Sequence, residues 1–173
     1  MHKSILVTGI AGSGKSTVCA ELKNLGFEAY DIEDLPGFFE MIDRKTGKPP
    51  LKYDNDDLAI VKQNEWICDT TKLERLIFNN KSGIVFYCGT GENLSKVYSL
   101  FDKVFLLVAN KTVLKERLSE RPVGDFGRKS DVQKWVFSWK KSWEDRLREK
   151  GAIVINSSGD LRTVTKRIAN LSK

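Results

Sequence analysis

Ser4-Ile5-Leu6-Val7-Thr8-Gly9-Ile10-Ala11-Gly12-Ser13-Gly14-Lys15-Ser16-Thr17 is the stretch that decides how this 173-residue chain folds. Ser4 to Thr8 is a short apolar run rich in branched side chains, which predicts a strand buried on both faces of a parallel sheet. Glycines follow at once. From Lys15 the apolar positions Val18, Leu22 and Leu25 keep helical spacing, and Gly26 is a natural stop. Between strand and helix, Gly9 to Ser16 fits the pattern GxxxxGK followed by Ser or Thr. Three glycines let consecutive backbone N–H groups turn inward, and the positive end of the helix adds to the anion cradle. There Lys15 can reach the outer phosphates of a nucleoside triphosphate, and the Ser16 hydroxyl is placed to ligate magnesium. Gly9, Ile10, Ala11, Gly12, Ser13, Gly14, Lys15, Ser16 and Thr17 are therefore the expected nucleotide-binding segment, with ATP and Mg2+ as cofactors. A strand-to-helix turn that binds nothing is the plainer alternative, but it gives no reason for so many entropically costly glycines beside a lysine.

Further along, Phe27 to Ile32 reads as a second strand ending in acids. Pro36, Gly37, Gly47, Pro49 and Pro50, with Asp54, Asp56 and Asp57, predict an irregular excursion over 36–57. A helix from about Asp56 to Trp66 is expected next, then one opened by Thr71 with Glu74 as a capping box. Gly83 to Cys88 and Lys103 to Ala109 read as strands, and Thr112 to Arg121 as a helix stopped by Pro122. After a polar loop, Ser130 with Gln133 suggests another capping box. The helix it opens carries Trp135, Trp139 and Trp143 at four-residue steps, a stripe read as core packing, and ends at Gly151. Ala152 to Asn156 is a fifth strand, and Asp160 is the expected cap of a last helix. Strands alternating with helices specify an α/β fold with a parallel sheet.

Composition narrows the classes. The length suits one domain over 1–173, and apolar and charged shares of 40% and 30% are those of a globular chain. No apolar run approaches the ~18 residues of a spanning helix, so a cytoplasmic protein without membrane contact is expected. Cys19, Cys68 and Cys88 form no CxxC pair, and His2 is the sole histidine, so neither a zinc site nor histidine catalysis is suggested. The net charge of +6 is spread among acids and fits phosphate-bearing ligands better than nucleic acid, which is not an expected partner. Either a monomer or a homodimer is compatible with the sequence.

A motor-type ATPase would need a strand ending in Asp-Glu, but Gly83 to Cys88 leads into Gly89, and Lys103 to Ala109 into Asn110. A GTPase switch would need DxxG and NKxD. Asp34-Leu35-Pro36-Gly37 satisfies the first, yet Val113 stands where the guanine-reading aspartate belongs after Asn110-Lys111. Asp31-Ile32-Glu33-Asp34 lies at the carboxyl edge of the sheet, where open α/β folds bind ligands.

With this acidic turn after the second strand, the chain resembles small P-loop kinases of the shikimate kinase and adenylate kinase type. The resemblance implies a three-layer α/β/α P-loop NTPase fold with a five-stranded parallel sheet. Shikimate kinases carry Asp-x-Asp where this chain has Asp31-x-Glu33. By that resemblance Asp31 would help hold magnesium and could accept the proton of an attacking hydroxyl, with Glu33 and Asp34 near the substrate; a solvated acidic loop is the alternative. Arg117-Leu118-Ser119-Glu120-Arg121, followed by Gly124, Asp125, Gly127 and Arg128, is similar to the arginine-bearing helix and lid of those kinases. It implies a lid over about 121–130, Arg121 as a catalytic charge, and Arg117 and Arg128 as nucleotide contacts. Arginines on an exposed helix are the plainer reading. Cys88-Gly89-Thr90-Gly91 falls at the acceptor-contacting turn, which makes Gly89 and Thr90 substrate candidates and leaves Cys88 as a buried thiol. Asn156-Ser157-Ser158-Gly159-Asp160 resembles the loop that touches adenine in this group. The Asp-Leu-Pro-Gly-Phe segment and Cys88-Gly89 also resemble bacterial proteins labelled AAA-type ATPases or nucleoside kinases.

Within the acceptor-binding excursion of about 36–70, no shikimate-reading arginines can be assigned in residues 36 to 66, which offer acids, Lys48, Lys52 and Trp66 instead. The resulting expectation is a magnesium-dependent kinase that moves the terminal phosphoryl of ATP to a small metabolite, such as a nucleoside or nucleotide, with Lys15, Asp31 and Arg121 as catalytic residues. A regulator or slow NTPase without an acceptor, and an interaction domain with a vestigial cradle, are the other classes.

Overall fold

The computed structural model of the chain describes residues 2–81 and 83–173. Its centre is β1, His2–Thr8, in which Ile5, Leu6 and Val7 are all fully buried, as a strand covered on both faces requires. β1 pairs in parallel with β5, Gly83–Cys88, on one side and with β6, Lys103–Val108, on the other. β2, Glu28–Asp31, adds beyond β5, and β7, Ile153–Asn156, beyond β6, so the parallel sheet has five strands in the order β2-β5-β1-β6-β7.

Alternation along the strands divides the core between two helical layers. Ile5, Val7, Phe86, Phe105 and Leu107 face α1, Lys15–Asn24, and α6, Leu161–Ser172, through Val18, Leu22, Val164 and Ile168. Leu6, Val85 and Tyr87 face α3, Thr70–Asn79, and a 3-10 helix at Leu94–Leu100. α4, Lys111–Ser119, and α5, Ser130–Glu149, close over a third cluster of Ile10, Ala109, Leu114 and Val136. The three-layer α/β/α P-loop arrangement is thus as the sequence implies. Among the described residues no helix is long and apolar enough to cross a membrane.

The excursion after β2 departs from expectation. β3, Phe39–Asp43, and β4, Asn64–Cys68, form an antiparallel two-stranded ribbon, and only Leu58–Gln63 between them is helical, as α2. The expected helix stops short of Trp66 because its last residues, Asn64 to Trp66, are claimed by pairing: Met41 lies opposite Trp66, and the Phe39 and Trp66 rings stack at 5.4 Å. Asp57 caps α2 by accepting from the N–H groups of Ala59 and Ile60.

Two expected capping boxes are replaced. Asp69, not Thr71, caps α3 by accepting from Lys72 N–H. At α5 Ser130 is already helical and no side chain caps the end; Gln133 instead reaches back to the Arg128 carbonyl and the Ser119 hydroxyl. The cap at Asp160 forms as read, with Thr163 N–H 2.8 Å from Oδ2. The tryptophan stripe also needs refinement. Val132, Gln133, Val136, Glu144 and Leu147 are the buried side chains of α5, while Trp135, Trp139 and Trp143 are half-buried beside them in a chain of edge-to-face contacts.

Candidate active site

The phosphate cradle starts where β1 ends. Gly12 and Gly14 take φ values of 82° and 97°, a left-handed conformation that L side chains rarely adopt. A side chain is also excluded at Gly9, where a Cβ would lie 2.4 Å from Ser13 Oγ. Gly14 is the N-cap of α1 and supplies no side-chain cap, so the first N–H groups of the helix are left for an anion. A cavity of about 330 Å³ opens over them, bounded by Gly12 to Val18 and, across from these, by Arg117 and Arg121. Ser16 and Thr17 are exposed to it, whereas the buried Gly9 and Ile10 and the half-buried Ala11 form the back of the loop and do not line it. Lys15 lies folded onto its own loop, donating to the carbonyls of Gly9 at 3.0 Å and Ile10 at 3.4 Å.

The far wall is the loop after β7, with Ser157, Gly159, Leu161 and Val164. Ser157 Oγ donates to the Ser13 carbonyl at 2.8 Å, and Arg117 bridges the two loops through the carbonyls of Ser157, at 2.8 Å, and Gly12, at 3.3 Å. Arg117 is thus a brace of the cavity wall. Arg121 donates to the Phe126 carbonyl at 2.8 Å and still lines the cavity; burial lowers its pKa, an effect opposed by Asp125 and Glu33. Arg128 does not line the cavity, because its guanidinium is bound to the carbonyls of Ser119 and Arg121 at the end of α4.

Of the acids after β2, Glu33 is the one fixed at the cradle. Its Oε1 accepts from Thr90 N–H at 2.9 Å and lies 3.8 Å from Lys15 Nζ, while Oε2 accepts from Trp66 Nε1 at 3.1 Å. Asp31 ends β2 in register with Cys88, which pairs with Val7, so its backbone stands two strand spacings, ~10 Å, from β1. Asp34 is exposed. Gly89 is buried beneath this turn, where a Cβ would lie 2.5 Å from Ile32 Cγ1 and 3.2 Å from Glu33 Cγ. It permits the close approach of the acidic turn, and it is the Thr90 N–H that touches the acid.

The ribbon is moored over this edge by its backbone. Glu92 N–H donates to the Trp66 carbonyl at 3.0 Å, and the Asn93 side chain bonds both the N–H and the carbonyl of Cys68. Arg44 joins Glu65 and Glu92 at its outer end. Trp66 was legible as an aromatic in the excursion, but its indole N–H partner depends on the strand pairing that the sequence reading missed.

Magnesium fits what is present. The Ser16 hydroxyl is exposed at the cradle, and the backbone of Asp31 stands two strand spacings from β1. That hydroxyl would serve as a ligand for a magnesium ion carried with the nucleotide's phosphates. Cys88 is fully buried and its thiol is pushed well up by burial, as a packing residue's would be. Both GTPase-like matches have structural uses: Asn110 caps α4 by accepting from Val113 N–H, and the Gly37 carbonyl accepts from Lys72.

A family model described as an AAA domain matches residues 5–137, a span that holds the cradle, the acidic turn, the ribbon and Arg121. The chain belongs to that family of P-loop domains. An adenylate kinase isoenzyme 6 homolog from Plasmodium falciparum (isolate 3D7) is 33% identical to this AAA-domain chain over 129 residues. That match covers 68% of the chain and 65% of the Plasmodium protein. Among solved structures, deoxyadenosine kinase from M. mycoides with bound dATP is similar at a TM-score of 0.60 and 18% identity, covering 98% of each chain. Shikimate kinase from Acinetobacter baumannii in complex with shikimate also reaches 0.60, at 16% identity over 99% of this chain and 93% of its own. At such identities these two likenesses are of fold.

Proposed function

We propose that the protein is a magnesium-dependent phosphotransferase that moves the terminal phosphoryl of ATP to a small metabolite, with a nucleoside or nucleotide as the acceptor class. The observation that carries this reading is Glu33, a carboxylate held by Trp66 Nε1 and Thr90 N–H at 3.8 Å from the cradle lysine, on the side where the β3–β4 ribbon overhangs the sheet. A water-activating Asp-Glu pair is absent from the strand ends, which favours an acceptor over simple hydrolysis. The nucleoside or nucleotide class is supported by the stacked Phe39–Trp66 pair at the acceptor edge and by the adenylate kinase homolog among the chain's relatives.

In this scheme Lys15 leaves the Gly9 and Ile10 carbonyls for the outer phosphates, and Ser16 and Asp31 would hold magnesium. Bound magnesium would neutralise charge on the phosphate oxygens. Arg121 supplies positive charge to the phosphoryl group in flight, and Glu33 or Asp31 accepts the proton of the acceptor hydroxyl. Phosphoryl transfer asks a protein mainly for positioning and charge, so this set suffices. Residues 121–130, hinged at Gly124 and Gly127 with φ of 88° and 84°, form the lid that excludes water when ATP is bound. The test is ATP consumption against a panel of nucleosides, nucleotides, sugars and hydroxy acids. Stimulation by one compound supports the kinase, whereas a flat panel with intact ATP binding favours a regulator or slow NTPase.

A further inference from the structure

On the opposite side of the loop that walls the ATP cavity lies a second cleft of about 590 Å³, between α5 and the edge strand β7. We propose that it is a binding site for a small phosphate-bearing ligand with an apolar portion. This site is separate from the cradle and does not depend on the phosphotransfer reading.

Its floor is apolar. Val108, Ala109, Phe137 and Val154 line it, and Val154 on the edge strand keeps 37% of its surface exposed. Its walls are cationic, from Lys111 at the start of α4 and from Lys140, Lys141 and Arg148 on one face of α5. The carboxylate of Glu144, a residue only 3% exposed, sits among them, 2.7 Å from Lys140 Nζ and 3.8 Å from Arg148 Nη2. A buried acid at this place holds two cationic side chains against the cleft, instead of letting them extend into water. Asp145 takes a second share of the charge, lying 2.6 Å from both Lys141 and Arg148. Four cations against these two acids still leave a surplus of two positive charges. Lys111 Nζ stands 5.5 Å over the Phe137 ring, so a cation and an apolar face are presented together.

The volume falls within the range of ~300–1,000 Å³ typical of small-molecule sites. An ordinary solvated basic face would have no reason to hold Phe137 and Val154 open between its charges. From Phe137 to Arg148 the α5 wall runs only ~16 Å, short for an extended nucleic-acid strand and long enough for one phosphorylated small molecule.

The placement also couples the cleft to the ATP site. Residues 156–159 alternate between the two cavities, with Asn156 and Ser158 facing the cleft and Ser157 and Gly159 facing the cradle. Ser158 Oγ accepts from Asn110 N–H at 3.0 Å on one side, while Ser157 Oγ donates to the Ser13 carbonyl at 2.8 Å on the other. A ligand that fixes Asn156 and Ser158 therefore bears on the wall against which ATP binds, and any change in ATP affinity is matched by an equal change in affinity for the ligand.

The test uses 1-naphthyl phosphate as probe, titrated calorimetrically into full-length protein saturated with magnesium and a non-hydrolysable ATP analogue. Saturable binding is expected, at least five-fold tighter than that of inorganic phosphate because of the apolar floor. In a Lys111→Glu, Lys141→Glu variant it should weaken at least ten-fold, while the melting temperature and the affinity for the ATP analogue in the absence of probe stay the same. In Lys15→Ala, probe binding should remain within two-fold of wild type. No saturable binding to wild type overturns the proposal, as does loss in Lys15→Ala with retention in the charge-reversed variant. Preference for a single-stranded oligonucleotide over the probe, abolished by the same two charge reversals, would also overturn it in favour of a nucleic-acid surface.

Discussion

Replacing Trp66 with phenylalanine isolates the contact that ties the ribbon to the cradle. Phenylalanine keeps a ring against Phe39, whose centroid lies 5.4 Å away, and deletes only the indole N–H that donates to Glu33 Oε2 at 3.1 Å. A hydrogen bond to a charged acceptor contributes a net ~1.5–3 kcal/mol, and Glu33 is only half-buried, so solvent screening brings the expected loss to about 1–2 kcal/mol. For a chain of this size that lowers the melting temperature by roughly 3–6 °C. Stability measured by urea unfolding for Trp66→Phe, Glu33→Gln and the double variant should give a coupling energy of about 1 kcal/mol. ATP affinity should change less than two-fold, and the acceptor KM should rise, because the freed carboxylate loses its orientation at the acceptor edge. Additivity of the two substitutions within ~0.3 kcal/mol would refute the reasoning, since it would mean that no energy passes between ribbon and acid.

Other substitutions separate the roles of neighbouring groups. Lys15→Ala should abolish turnover and leave the urea midpoint within error of wild type. Arg121→Ala should lower kcat by ~10³ with little change in ATP affinity, as loss of an arginine finger does. Arg117→Ala should act instead on stability and on ATP affinity, because it unlinks the carbonyls of Gly12 and Ser157. Gly127→Ala places a methyl 2.9 Å from Leu118 Cδ2 at a φ of 84°, and should cost about 1–3 kcal/mol by thermal unfolding. Asp160 and Asp69 have pKa values lowered chiefly by the backbone N–H groups of Thr163 and Lys72. Their contribution is present above the ordinary aspartate pKa of ~3.9 and is lost as pH falls through their lower folded values. Asp160→Asn should therefore flatten the acid limb of the stability profile below about pH 4.

The sheet and the cradle were legible because they rest on local rules. A run such as Ile5-Leu6-Val7, buried on both faces, has few other homes, and Gly12 and Gly14 occupy positions that only their φ values explain. The ribbon was not legible. Asn64-Glu65-Trp66-Ile67-Cys68 joins α2 without a break, and its strand character depends on Phe39–Asp43, more than twenty residues earlier. The cap at α3 was misassigned because Asp69 and Thr71 both suit the position, and the choice rests on where β4 ends. The acids after β2 were found as a group. Their division, with Glu33 fixed by Thr90 and Trp66 and Asp34 exposed, rests on the turn after β5 and on the ribbon, neither of which the local sequence shows. Arg117, Arg121 and Arg128 look alike in sequence, and only the carbonyls they reach tell brace, cavity wall and loop anchor apart.

The central claim is that the terminal phosphoryl of ATP goes to an acceptor and not to water. Incubating the protein with magnesium and γ-labelled ATP, with and without each nucleoside and nucleotide, and following the label in the products tests it most directly. The account predicts label on one organic acceptor, in an amount equal to the ATP consumed, and none with Lys15→Ala. Label recovered only as inorganic phosphate, at a rate no acceptor changes, would contradict it.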